Sequence, residues 1–130
     1  MMARRHVSVL AALLALVVLW GCDRGPSGEG DWRVTIEGPG GPFGAAAVVV
    51  SGEGVLDVTS AEGTRVWIRE ASDGSIRAVI IQPSASGEAG FRIRVRDLSE
   101  PTPSVALVEL ADLSDEPVTV SSDHRLRFRR

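Results

Sequence analysis

The chain has 130 residues, with 14 basic and 17 acidic side chains, a net charge of −3 and one cysteine. That length is a one-domain object, long enough to close a hydrophobic core unaided. The acidic balance argues against nucleic acid as a partner, which favours an overall basic domain, and a lone cysteine leaves no intrachain disulfide.

The first residues, "MMARRH", carry Arg4 and Arg5 and no acid, and Val7 to Leu19 is an almost unbroken apolar run of 13 residues. As a helix this run reaches about 20 Å, short of the ~30 Å hydrocarbon core of a bilayer. Residues 1–21 therefore read as a secretory signal helix rather than a membrane span. The "RR" pair is shared with twin-arginine signals, but "HVSV" after it departs from them, and the general secretion route is expected. "LWGC", Leu19 to Cys22, resembles the lipobox of bacterial lipoproteins: an aliphatic, a variable residue, a small residue and the cysteine. The resemblance implies a diacylglyceryl group on the Cys22 thiol, cleavage just before it, and acylation of the new amino group. One acyl chain anchors marginally and two or more hold firmly. The alternative is an unpaired thiol on a secreted chain. The expected location is extracytoplasmic, on the cell membrane or outer membrane, with Cys22 making the membrane attachment. Asp23 resembles the inner-membrane retention signal of enterobacterial lipoproteins, and both membranes stay open.

Without Arg4 and Arg5 the chain has 12 basic against 17 acidic side chains. Residues 22–31, "CDRGPSGEGD", hold no large apolar side chain and read as the lipidated cysteine followed by a flexible tether. From residue 32 to 130 the pattern is strand after strand. "WRVTIEG", "AAAVVVS", "GVLDVTS", "TRVWIRE", "SIRAVIIQP", "FRIRVRD", "SVALVELAD", "VTVSS" and "HRLRFRR" alternate or run apolar, broken by turn signals such as "AEG" and "SDG". This spacing predicts an all-β sandwich or barrel, and with no helix to supply crossovers a parallel sheet is not expected. In "FRIRVRD" one face is Phe91, Ile93 and Val95, expected in the core; the other is Arg92, Arg94 and Arg96. That arginine face reads as an ordinary solvated outer surface, with acids such as Glu109 as cross-strand partners.

"VALVELADLSDEPVTV" (Val105 to Val120) resembles the late part of cohesin modules, and "AAAVVVSGEGVLDVTSAEG" (Ala45 to Gly63) resembles their early strand, turn and strand. The resemblance implies an antiparallel, jelly-roll-like β-sandwich of about nine strands, of the cohesin and carbohydrate-binding-module kind. No residues here match a dockerin-contact signature, so dockerin binding is not implied.

Candidate chemistry is sparse. Past the leader there is one histidine, His124, with no lysine, no tyrosine and no "GxSxG" nucleophile turn, and His124 reads as a solvated turn residue. A pair of carboxylates for glycoside hydrolysis stays open among the acids. "ADLSDEP" gathers Asp112, Asp115 and Glu116, with Asp123 nearby. Calcium takes six to eight oxygen ligands, but the loop lacks the glycine and ligand spacing of a dedicated site, and its residues are ordinary turn formers. No metal or other cofactor is expected, with calcium at Asp112–Glu116 left open.

The remaining signal is "TRVWIRE". Val66 and Ile68 share one face, and Arg65, Trp67 and Arg69 the other. If the aliphatic face points inward, Trp67 stands outside between two guanidinium groups, the residue types enriched at contact hot spots. The alternative is a tryptophan folded over its own core. The expectation is a non-catalytic binding or assembly module with a protein or polysaccharide partner in the envelope. A carbohydrate-binding or hydrolase-associated domain and a purely structural envelope lipoprotein are the alternatives.

Overall fold

A computed structural model describes residues 27–83 and 88–130. The expected signal helix, Cys22 and the expected tether as far as residue 26 lie outside the described residues. Nine strands run through the described chain: β1 (Gly30–Glu37), β2 (Phe43–Ser51), β3 (Val55–Ser60), β4 (Arg65–Glu70), β5 (Ile76–Ile81), β6 (Gly90–Val95), β7 (Ser104–Asp112), β8 (Pro117–Val118) and β9 (Arg125–Arg129). They form a four-stranded sheet, β3-β6-β1-β9, and a five-stranded sheet, β4-β5-β2-β7-β8. Every pairing is antiparallel. The protein is an antiparallel β-sandwich.

The alternation read from the sequence is what closes it. Trp32, Val34 and Ile36 of β1 and Phe91, Ile93 and Val95 of β6 turn inward from the four-stranded sheet. Val48 and Val50 of β2 and Ile76, Ala78 and Ile80 of β5 meet them from the five-stranded sheet. A smaller cluster of Ile36, Phe43, Ala46, Ala89 and Leu110 closes one end. Each fully buried aliphatic or aromatic side chain contributes roughly 1.5–3 kcal/mol by leaving water, so this core stands without a crosslink.

Two of the three register slips in the sheets bring an apolar side chain to the surface. The β2–β7 register slips between Ala47 and Val48, leaving Val108 as an extra residue beside Glu109. The β3–β6 register slips in the same way at Leu56. A bulge pushes one residue out of the ladder, and Val108 and Leu56 are both about half exposed. The fold also takes in the last residues of the expected tether. Gly28 donates its N–H to Asp97 Oδ1 (3.1 Å), its carbonyl accepts from Leu98 N (2.9 Å), and β1 begins at Gly30.

Candidate functional site

The outer face of the five-stranded sheet carries the residues singled out in "TRVWIRE". β4 is its edge strand, and register places Trp67 opposite Val79, Arg69 opposite Arg77 and Arg65 opposite Ile81. The next strand continues these rows with Ala47, Val49 and Ala45. Beyond it, β7 adds Glu109 with the bulged Val108, then Ala106 and Ala111. One row thus crosses four strands as Trp67, Val79, Ala47 and Glu109, with the bulged Val108 beside its end. Trp67 is 57 % exposed, Val79 45 % and Val108 53 %. Outer faces of antiparallel sheets are ordinarily polar. This one is mainly alanine and aliphatic side chains with Trp67 at one margin and Arg65, Arg69 and Arg77 around it.

The strand faces divide as the sequence suggests. Val66 packs against the core, while Trp67 points to the outside. Ile68 points inward yet stays 48 % exposed, because β4 has a neighbour on one side only. Arg65 and Arg69 make no ion pair among the described residues.

The outer face of the other sheet is its chemical opposite, with Arg33, Arg92, Arg94, Arg125, Arg127 and Arg129 projecting from β1, β6 and β9. The expected pairing of the β6 arginines with Glu109 is corrected here, because Glu109 lies on β7 in the opposite sheet. Arg94 instead pairs with Glu29, Arg96 with Glu100 (3.1 Å), and Arg127 with Glu37 (3.3 Å).

Three places test for chemistry. A cleft of about 490 Å³ between the β2–β3 turn and the β6–β7 loop contains Glu53, Asp97 and Glu100. Asp97 Oδ1 accepts from Ser99 N (2.9 Å), Ser99 Oγ (2.8 Å) and Gly28 N (3.1 Å). The Ser99 bonds, then the Gly28 bond, hold its pKa below the ordinary aspartate value. A general acid needs a raised pKa, so Asp97 is tuned as a turn cap, and Glu100 is engaged by Arg96.

In the Asp112–Glu116 loop, Asp112 Oδ1 accepts from Ser114 N (2.8 Å) and Glu116 N (3.0 Å), and Asp115 takes the left-handed conformation (φ 62°). The carboxylate thereby builds the turn joining β7 to β8. Among the described residues, no three or more His, Cys, Asp or Glu side chains gather as a metal-binding group.

His124 is half-buried rather than fully solvated. Its Nε2 lies 2.9 Å from the Pro39 carbonyl, its Nδ1 accepts from Ser121 N (3.0 Å), and its ring sits 5.7 Å from that of Phe43. Accepting at Nδ1 assigns the proton to Nε2, which donates to Pro39. His124 ties the turn before β9 to the loop after β1. Its partner is 85 residues away in sequence, which no local pattern announces. Comparison with protein-family models, curated protein sequences and solved structures returns no match.

Proposed function

We propose that this chain is a non-catalytic binding module of the cell envelope, held to a membrane by lipid on Cys22, with the outer face of the five-stranded sheet as its contact surface. One observation carries this reading: Trp67, Val79 and Ala47 form an apolar row across three strands, which the exposed bulge residue Val108 extends on β7 beside Glu109. Exposed apolar surface rimmed by polar side chains marks interaction sites. A tryptophan supplies large contact area, and arginines at its margin can grip carboxylates through two parallel hydrogen bonds. The alanines in the middle keep the face shallow, which suits a flat opposing surface. Trp67 is the one aromatic side chain on this face among the described residues, and its other apolar side chains are aliphatic. That composition favours a protein surface over a ladder of stacked sugar rings.

The test is site-specific photocrosslinking in native cells, with a photoreactive phenylalanine at Val79. A discrete crosslinked protein species is expected, and Trp67→Ala in the same chain should abolish it. The melting temperature should move little, since an exposed cross-strand pair contributes about 1 kcal/mol or less. Crosslinks only to polysaccharide would favour the carbohydrate-binding alternative. A large loss of stability on Trp67→Ala would make Trp67 a structural residue and remove the proposed face.

A further inference from the structure

The four-stranded sheet carries a second, independent signal in its register. Arg92 stands directly opposite Arg33, and Arg33 directly opposite Arg129, with Thr59 extending the row on β3. Three guanidinium-bearing side chains are thus aligned across β6, β1 and β9. Like charges directly opposite each other destabilise a sheet. Arg33, Arg92 and Arg129 are exposed and make no ion pair or side-chain hydrogen bond among the described residues.

The neighbouring rows are neutralised. On one side Arg94 lies between Asp57 and Asp31 and also pairs with Glu29. On the other, Thr35 lies between Gly90 and Arg127, whose charge Glu37 meets at 3.3 Å. Arg125, opposite the Glu37 that pairs with Arg127, is the one other arginine of these strands without an ion pair among the described residues. The uncompensated positive charge therefore runs as a line along Arg92, Arg33 and Arg129, with Arg125 off its end on β9.

We propose that this line binds a linear polyanion, specifically an acidic polysaccharide with one carboxylate per sugar. Adjacent strands lie about 4.8 Å apart, so the arginines stand at roughly that interval. Carboxylates borne on successive sugar rings recur at a comparable interval, and each matches a guanidinium bidentately. A planar anionic membrane covering the whole face would press its phosphates onto Asp31, Asp57 and Glu29. A thread-like polymer lies along the row and avoids them. Single-stranded nucleic acid uses exposed aromatic rings for base stacking, and the aromatics of this sheet, Trp32, Phe91 and Phe128, turn toward the core.

The experiment titrates the full chain, in nonionic detergent, with polygalacturonate and follows heat and melting temperature. Binding that weakens steeply with salt is expected, with a rise in melting temperature on saturation and no response to neutral dextran. Arg33→Gln should weaken binding at least tenfold and abolish that rise, while melting no lower than the wild type alone. Arg96→Gln removes one equal charge from the end of the same face and should change affinity less than twofold. Should Arg33→Gln fail to fold, Arg92→Gln and Arg129→Gln make the same test. Equal losses from Arg33→Gln and Arg96→Gln overturn the proposal, since net charge alone would then govern binding. Tighter binding to phosphatidylglycerol-doped micelles or to poly(dT) than to polygalacturonate overturns it in favour of a membrane or nucleic acid.

Discussion

Phe91 is fully buried in the main core, opposite Val34 on β1 and Ser60 on β3. Phe91→Ala removes a large apolar side chain where neighbouring strands on both sides limit collapse, so a loss of about 3–5 kcal/mol is expected. Urea unfolding should show it as a lower midpoint with an unchanged slope. This position was readable because "FRIRVRD" sets arginine against apolar residues with a clean period of two. Val108 was not readable. In "SVALVELAD" both Glu109 and Leu110 must reach opposite sides while Leu107 stays inside, and only a bulge reconciles them. Nothing local fixes where that bulge falls, because it depends on pairing with β2. His124 escaped for the same reason, its role resting on the distant carbonyl of Pro39.

The start of β1 is held by the loop after β6. Asp97 caps its own turn through Ser99 and also accepts from Gly28 N, while Leu98 N donates to the Gly28 carbonyl. The sequence reads these first residues as tether because Gly, Ser and Glu bury nothing; their order comes from hydrogen bonds to a loop 69 residues on. The Asp97 pKa in the folded protein lies below its ordinary value of 3.8. A carboxylate depressed on folding adds stability that is present above the unfolded value and is lost as pH falls through the folded one. Wild type should therefore lose melting temperature more steeply than Asp97→Asn between about pH 5 and 2. At neutral pH Asp97→Asn should melt lower, with faster amide exchange at Gly28, and parallel pH profiles for the two proteins would refute the cap.

The whole molecule is two-faced: an apolar, tryptophan-edged surface on one sheet and an arginine-rich surface on the other, over one shared core. The number and order of strands were visible in the sequence, since each alternating run is bounded by turn residues. The partition into sheets was not, because β1 pairs with β6 and β9 across most of the chain. If both faces make the contacts proposed above, an anchor at one end leaves both open. From Cys22 to Gly30 the chain reaches at most about 28 Å when fully extended, which keeps the sandwich close to the surface that a lipid on Cys22 would occupy. If Cys22 is acylated and becomes the first residue, intact-mass measurement of the membrane-bound protein should show a chain beginning there, heavier by its acyl groups. Cys22→Ser should give an uncut precursor or a soluble product. The core clusters of the described residues are built by side chains from Trp32 onward, so a soluble Cys22→Ser product should keep a sheet-type circular dichroism spectrum and the wild-type melting temperature. An unmodified thiol on the membrane form removes the anchor from this account, and a Cys22→Ser product that is released but unfolded would mean that the sandwich depends on its lipid.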